Sequence, residues 1–286
     1  MKPDRLEEKA LRLKDYRCGY ESVSLPEGGV RFLYLKGMNM DLHDFFKLHP
    51  KAAVAFSGGV DSAYLLYAAT QYAEDVTAYY VHAAFQPAFE LEDAKKLAAG
   101  LGANMKIIDV DIFADETVLS NPPDRCYFCK RQIFGSILRA AAEDGYTLIL
   151  DGTNASDDAS DRPGMKALRE LQVRSPLREC GLTKARIREL SKEAGLFTWD
   201  KPAYACLATR IPAGTRITSE ILHATECAET FLFELGLTDF RVRYLDGNAR
   251  LQVPERQLPF VLANRKRIIE ELKKHYKSVL LDLETR

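Results

Sequence analysis

The sequence predicts a doubly wound α/β domain, with helices on both faces of a parallel sheet, followed by a smaller α+β domain. Three observations carry that prediction. Between residues 41 and 200, short apolar runs alternate with segments of helical periodicity, the pattern of parallel strands joined by crossover helices. The first core strand, 52–56, runs straight into a glycine turn and a helix, in Ala55-Phe56-Ser57-Gly58-Gly59-Val60-Asp61-Ser62. Past residue 212 the order becomes helix, strand, Asp246-Gly247, strand, helix, strand, and Asp-Gly between alternating strands is a strong hairpin signal.

In chain order, residues 1–15 are charged, with Leu6, Ala10, Leu11 and Leu13 at helical spacing, and read as a surface helix. Residues 20–36 read as a β segment around Glu27-Gly28-Gly29, and 41–48 as a short helix leading into strand 52–56. Helix 60–72 has Val60, Ala63, Tyr64, Tyr67 and Ala68 on one face. Then come strand 76–82, helix 89–101 closed by Gly102, strand 105–111, helix 127–143 and strand 147–150. Residues 151–161 are dense in Asp, Ser and Asn, hence a loop. Residues 173–177 read as a last short strand, and Thr183 caps helix 184–194, which Gly195 ends. Lys201 to Pro212 interrupts the periodicity and marks a domain junction. The expected units are an extension (1–40), the α/β domain (41–205) and the small domain (206–286). The last holds helix 219–235, strands 240–244 and 249–253, helix 255–275 and strand 278–283, read as helices on an antiparallel sheet.

The chain has 286 residues, enough for one large domain or two modest ones. A net charge of −1 gives no global support for nucleic-acid binding, though a local basic patch stays open. No apolar run is long enough to span a bilayer, and Met1-Lys2-Pro3-Asp4-Arg5 lacks the apolar core of a signal peptide. The expectation is a cytoplasmic, reducing location without membrane partners. Six cysteines there read as thiols, metal ligands or catalysts rather than a disulfide framework.

Chemistry is expected first at residues 57–62. Gly58 and Gly59 permit a tight turn and a close ligand approach. The helix N-terminus behind them offers unpaired N–H groups to an anion. Ser57 and Ser62 add hydroxyls, and Asp61 can hold a divalent cation against phosphate. No Gly-Lys-Ser/Thr follows, so this is not a Walker loop; a plain tight turn is the competing reading. Ligands in such sheets sit at the carboxyl ends of strands, which adds the region after His82 and Asp151-Gly152-Thr153-Asn154. His82 reads as near a nucleotide or as a packed neutral residue. Asp151, Asp157, Asp158 and Asp161 read as Mg²⁺ ligands or as a solvated loop.

Cys126 and Cys129 form a C-x-x-C at a helix start, beside Arg125 and Lys130. The spacing suits a shared metal or cluster, and the positive surroundings would lower the thiol pKa values; redox use and chance remain alternatives. Cys206 lies in a loop beside Arg210 and could add a third thiolate, leaving a cluster one protein ligand short. Cys18, Cys180 and Cys227 read as structural. Arg241 and Arg243 share one strand face, suited to phosphate or carboxylate or simply solvated.

The octapeptide resembles the pyrophosphatase loop (PP-loop) of ATP pyrophosphatases, Ser-Gly-Gly-x-Asp-Ser. That resemblance implies a HUP-like, adenine nucleotide alpha hydrolase-like fold and chemistry in which ATP adenylates a substrate oxygen and pyrophosphate leaves. The further segments NPPDRCYFCK, DGTNASD with RPG, VRSPL with GLTK, KPAYACLATRIP and FRVR resemble the LarE family of ATP-dependent sulfur transferases, over residues 50 to about 255. LarE proteins adenylate a carboxylate of pyridinium-3,5-biscarboxylic acid mononucleotide and convert it to a thiocarboxylate, for the nickel-pincer nucleotide cofactor of lactate racemase. In one branch a cysteine sacrifices its sulfur; in a three-cysteine branch a [4Fe-4S] cluster carries an extra sulfide. By motif match the resemblance implies ATP and Mg²⁺ at Ser57, Gly58, Gly59, Asp61 and Ser62, and sulfur delivery at Cys206. It implies a cluster on Cys126, Cys129 and Cys206, and phosphate or substrate contacts at Lys130, Thr209, Glu229, Arg241 and Arg243. Catalytic roles would fall to Cys206, Asp61 and Lys130. The match at Glu229 is the loosest, and the resemblance does not reach residues 1–40. Two other readings are a PP-loop tRNA thiolase and a non-catalytic adenine-nucleotide-binding protein. Near-neutral charge argues against nucleic acid; a homo-oligomer is admitted.

Overall fold

The structure, a computed structural model, describes residues 20–24, 30–34, 40–157 and 163–285. The helix expected over 1–15, together with Cys18, Asp158 and Asp161, lies outside the described residues. The described chain begins with an antiparallel pair, β1 (Tyr20–Ser24) and β2 (Val30–Tyr34); Glu27-Gly28-Gly29 between them lies outside the described residues.

The core follows in the expected alternation: α1 (Leu42–Leu48), β3 (Lys51–Ala55), α2 (Val60–Tyr72), β4 (Asp75–His82), α3 (Ala88–Gly100), β5 (Asn104–Asp109), α4 (Glu116–Leu119), α5 (Arg125–Glu143) and β6 (Ile149–Leu150). The strands form one parallel sheet in the order β5-β4-β3-β6. Strand β3 is central and, after the exposed Lys51, apolar because both its faces are covered. Ala52 and Val54 point into a core with Leu65 and Leu66 of α2 and Leu97 of α3. Ala53 points the other way, into a core with Phe134 and Ile137 of α5. That alternation is the period of two that a strand imposes.

The strand expected over 173–177 does not form. Arg174 makes one isolated parallel bridge to Leu150. After α6 (Pro163–Glu170), the chain instead enters the short helix α7 (Pro176–Glu179), with Pro176 at its start. Proline has no N–H for a ladder, and its fixed φ suits the first turn of a helix. The sheet therefore has four strands among the described residues. Helix α8 (Lys184–Glu193) follows, its Arg186 N–H donating to Thr183 Oγ1 at 3.3 Å.

Beyond a 3-10 turn at Leu207–Arg210 come α9 (Ser219–Glu234), β7 (Arg241–Leu245), β8 (Asn248–Gln252), α10 (Leu258–Ala263), α11 (Arg265–Leu272) and β9 (Val279–Leu281). The β7–β8 hairpin turns at Asp246 (φ 49°) and Gly247 (φ 87°), the paired positive φ values that Asp-Gly tolerates. Two expectations are corrected here. Strand β9 pairs parallel to β8, so the sheet is mixed, because the chain returns through a helical crossover rather than a hairpin. Helix 255–275 is broken at Asn264, whose Nδ2 donates to Phe260 O at 2.9 Å. Leu232, Phe240, Val242, Leu251 and Leu272 fill the core between this sheet and its helices.

Residues after 205 also pack onto the carboxyl end of the parallel sheet. Leu207, Ala208, Ile211 and Leu222 share a core with Ala83, Phe85, Ile112 and Leu119. Asn121 Nδ2 donates to Pro212 O at 2.8 Å and to Thr215 O at 3.1 Å. No helix among the described residues is long and apolar enough to cross a membrane.

Candidate active site

Strand β3 delivers the chain into the glycine loop at the carboxyl end of the sheet. Gly58 has φ +70°, and a Cβ there would meet Ala94 Cβ and Glu90 O of α3 at 3.3 Å. Across the loop, Gly152 lets the segment after β6 close onto α2: a Cβ at Gly152 would lie 2.9 Å from Ser62 N. Ser57 Oγ and Ser62 Oγ are 3.1 Å apart, and Ser62 Oγ donates to Gly59 O at 3.2 Å.

Asp61 sits in the first turn of α2. Its Oδ2 accepts from Lys184 Nζ at 2.6 Å, while its Oδ1 is buried with no hydrogen-bond partner. Burial raises the pKa of this carboxyl, and Lys184 opposes the rise. A buried carboxylate oxygen without a donor is costly, and a Mg²⁺ ion is the partner its chemistry suits. Of the other acidic candidates, Asp151 is buried and committed: Oδ1 accepts from Ser175 Oγ at 2.6 Å and Oδ2 from Thr153 Oγ1 at 2.5 Å. Asp157 accepts from Asn154 N at 2.9 Å. His82 is exposed, pairs with Asp109 at 2.9 Å, and faces a separate cavity rather than the glycine loop.

The loop opens into a cleft of about 500 Å³ whose walls include Ser57, Asp61, Ser62, Lys130, Lys184 and Cys206. The structure thus brings Lys130 of α5 and Cys206 to the same space as the glycine loop. Lys130 enters across Gly164, where a Cβ would meet its Cδ at 3.0 Å.

Arg125, buried at the start of α5, ties the C-x-x-C to the Cys206 loop. It donates to Asn121 Oδ1 at 2.6 Å, to Ala208 O at 2.9 Å and to Cys126 Sγ at 3.9 Å. Cys126 is exposed; Cys129 and Cys206 are half-buried and pack on the same apolar cluster. Burial, then the proximity of Cys206, pushes the Cys129 thiol up to about 12, with Arg125 opposing. Burial likewise pushes up the Cys206 thiol. The expectation that positive neighbours lower these pKa values is corrected for Cys129, because desolvation outweighs Arg125 there. The three sulfurs are not gathered within 4.8 Å of one another. A tetrahedral zinc ion would hold thiolates about 3.8 Å apart, so the cysteines are set wider than a closed zinc site. Three free thiols of soft donor character, of which Cys206 lines the cleft, suit an iron–sulfur cluster.

Glu229 of α9 is 1 % exposed and fully engaged. Arg210 Nε and Nη2 donate to its two oxygens at 3.0 Å each, Val242 N donates to Oε1 at 2.8 Å, and Tyr204 OH donates to Oε2. Arg210 Nη1 donates to Ala205 O at 2.7 Å and to Thr209 Oγ1 at 2.9 Å; Thr209 Oγ1 in turn donates to Cys206 O at 2.8 Å. Arg241 and Arg243 share a face of β7 and also reach this loop, donating to Ala203 O at 2.6 Å and Thr209 O at 2.9 Å. Glu229, Thr209 and both arginines therefore converge on the peptide that carries Cys206.

Three neighbours of the site went unread in the sequence. Lys184 lies in GLTK and Tyr204 in KPAYACLATRIP, but neither segment assigns it a role; Glu90 has no local signal. Glu90, on α3, lines the cleft with its carboxyl pushed up to about 7 by burial, against Lys201 and Arg210.

A Ser-Gly-Gly-x-Asp-Ser loop at the carboxyl end of a parallel sheet, backed by a helix and facing a cleft, defines the class of PP-loop ATP pyrophosphatases. The family model described as Queuosine biosynthesis protein QueC matches residues 51–120. Uncharacterized protein slr1717 of Synechocystis sp. is 37 % identical over 222 residues, 76 % of this chain and 82 % of that protein. Pyridinium-3,5-bisthiocarboxylic acid mononucleotide synthase of Lactiplantibacillus plantarum is 33 % identical over 236 residues, 82 % of this chain and 86 % of that protein. A tRNA-specific 2-thiouridylase MnmA of Fervidobacterium nodosum is 30 % identical over 126 residues, 36 % of each chain. The chain belongs to the LarE family.

Proposed function

We propose that this protein is an ATP-dependent sulfur transferase acting on a pyridinium mononucleotide. It adenylates a carboxylate of pyridinium-3,5-biscarboxylic acid mononucleotide, releases pyrophosphate and converts the carboxylate to a thiocarboxylate, a step toward the nickel-pincer nucleotide of lactate racemase. The observation that carries the reading is the single cleft in which the glycine loop and Cys206 face each other. The name of the Lactiplantibacillus plantarum relative supports the substrate.

In this reading ATP lays its phosphates on the N–H groups of the loop and of α2. Asp61 would hold Mg²⁺ with the oxygen that lacks a partner, while Lys130 and Lys184 would neutralise phosphate charge. The arginines Arg241 and Arg243 draw the substrate's anionic groups toward the Cys206 loop. Cys126, Cys129 and Cys206 would hold a [4Fe-4S] cluster, which, when bound, supplies an iron without a protein thiolate where exogenous sulfide can sit. The free state of the described cysteines suits a cytoplasmic, reducing location.

The test is an anaerobic assay of pyrophosphate and thiocarboxylate formation from ATP, sulfide and the pyridinium mononucleotide, run beside unmodified tRNA. Thiocarboxylate with equal pyrophosphate supports the reading. Thiolated tRNA instead would establish the thiolase reading, which the partial match to the 2-thiouridylase keeps as the second candidate. ATP binding with no pyrophosphate release from either would leave a nucleotide-binding protein.

A further inference from the structure

Helix α9 carries His223 and Cys227 one turn apart, and His275 comes up beside them just after α11. Cys227 Sγ lies 3.5 Å from His223 Nε2 and 3.9 Å from Nδ1. The rings of His223 and His275 meet edge to face with centroids 5.8 Å apart. Both histidines are exposed and Cys227 is half-buried, so an ion can reach all three from solvent. The function proposed above uses none of them.

These separations have a chemical meaning. Metal bonds of about 2.3 Å to thiolate and about 2.0–2.1 Å to imidazole set the two donors about 3.5 Å apart in a tetrahedral site. Cys227 Sγ and His223 Nε2 stand at that distance, but Sγ lies nearly as close to Nδ1, so the ring must turn to aim Nε2 at a shared ion. The same bond lengths put two imidazole centres on one ion about 5 Å apart, slightly less than found here. As the rings stand, the three donor atoms are not within 4.8 Å of one another. Closing the site takes a rotation of both histidines, exposed side chains whose rotamers exchange rapidly. Glu226 and Glu271 place negative charge around Cys227, which favours a dication there.

We propose that His223, Cys227 and His275 form a surface binding site for a borderline-soft divalent transition ion such as Zn²⁺, with water as the fourth ligand. One thiolate and two imidazoles select such an ion over Mg²⁺, so the site does not compete with Asp61 for its cation. Binding releases the Cys227 thiol proton and fastens α9 to the segment after α11.

Cobalt(II) titration tests this, using the full chain with Cys126, Cys129 and Cys206 replaced by serine so that the proposed cluster thiols do not report. The expected result is about one Co²⁺ per chain with a thiolate-to-cobalt charge-transfer band. Cys227→Ser should abolish the band, and His275→Ala should weaken binding roughly a hundredfold. No band in the serine background, or unchanged affinity in His275→Ala, overturns the site. Because a cysteine-depleted chain could misfold, the unaltered protein gives an independent measurement. Zn²⁺ should shield Cys227 from iodoacetamide, located by peptide mass spectrometry, and the shield should vanish in the His223→Ala, His275→Ala double variant. Alkylation indifferent to Zn²⁺, or a shield that survives the double variant, overturns the proposal.

Discussion

Two ion pairs flank the cleft, and they are built in opposite ways. Arg210–Glu229 is shut away from solvent, with side chains 0 % and 2 % exposed, and every oxygen of Glu229 is taken. Lys184–Asp61 is 34 % and 21 % exposed, and one Asp61 oxygen is left without a donor. A completed buried network fixes a shape; an incomplete one at a cleft wall has room for a ligand. The first pair holds the peptide that bears Cys206; in the proposed function the second takes a cation and a phosphate. The contrast explains why Glu229, expected to touch substrate, acts on the scaffold in this structure.

Removing one partner from each pair should separate the two roles. Glu229→Ala leaves Arg210 buried and unpaired and should cost about 3–5 kcal/mol in denaturant unfolding. Replacing both residues by leucine should recover much of that loss. A small effect of the single change would mean the network relaxes and the comparison fails. Asp61→Asn should reduce Mg²⁺-dependent pyrophosphate release by about a hundredfold or more while the unfolding curve keeps its midpoint. Unchanged release would remove Asp61 from the cation site. Lys184→Ala should shift stability by less than about 1 kcal/mol, as half-exposed pairs do. Its measurable consequence should be a KM for ATP raised about tenfold, the usual size for a lost charge-assisted contact.

The smallest effect concerns pH. Glu90 is buried enough that its carboxyl titrates at about 7 when folded, above its usual range. The folded chain then holds a proton that the unfolded chain has released. Stability from this group is intact below the unfolded pKa, falls as pH rises through the folded value near 7, and stays low above it. Glu90→Gln should flatten that decline in pH-dependent unfolding. A slope equal to that of the parent would mean the carboxyl is solvated.

How far the sequence foretold this follows from which interactions are local. The alternation and the glycine loop were legible because β3 has both faces covered and turns at once into α2. The motif segments also pointed to Lys130 and Cys206, which the fold brings to one cleft. Illegible features are those set by distant partners. Lys184 meets Asp61 across 123 residues, and no local pattern marks that meeting. Strand β9 read as antiparallel because nothing local records how a helical crossover returns the chain. Residues 173–177 looked like a strand by composition, and only Pro176, read as a helix start, tells otherwise. The Cys129 thiol was misjudged because local charge is visible in sequence and burial is not.

The central claim is that the glycine loop and the three cysteines are the two halves of one sulfur-transfer site. Intact-protein mass and product count, measured together after anaerobic turnover with ATP, sulfide and the pyridinium mononucleotide, test it most directly. The account predicts an unchanged chain mass, several thiocarboxylates per chain and one pyrophosphate for each, all lost when Cys126 and Cys129 are both replaced by alanine. A chain lighter by the mass of H₂S after a single product, or turnover that survives the double replacement, would contradict it.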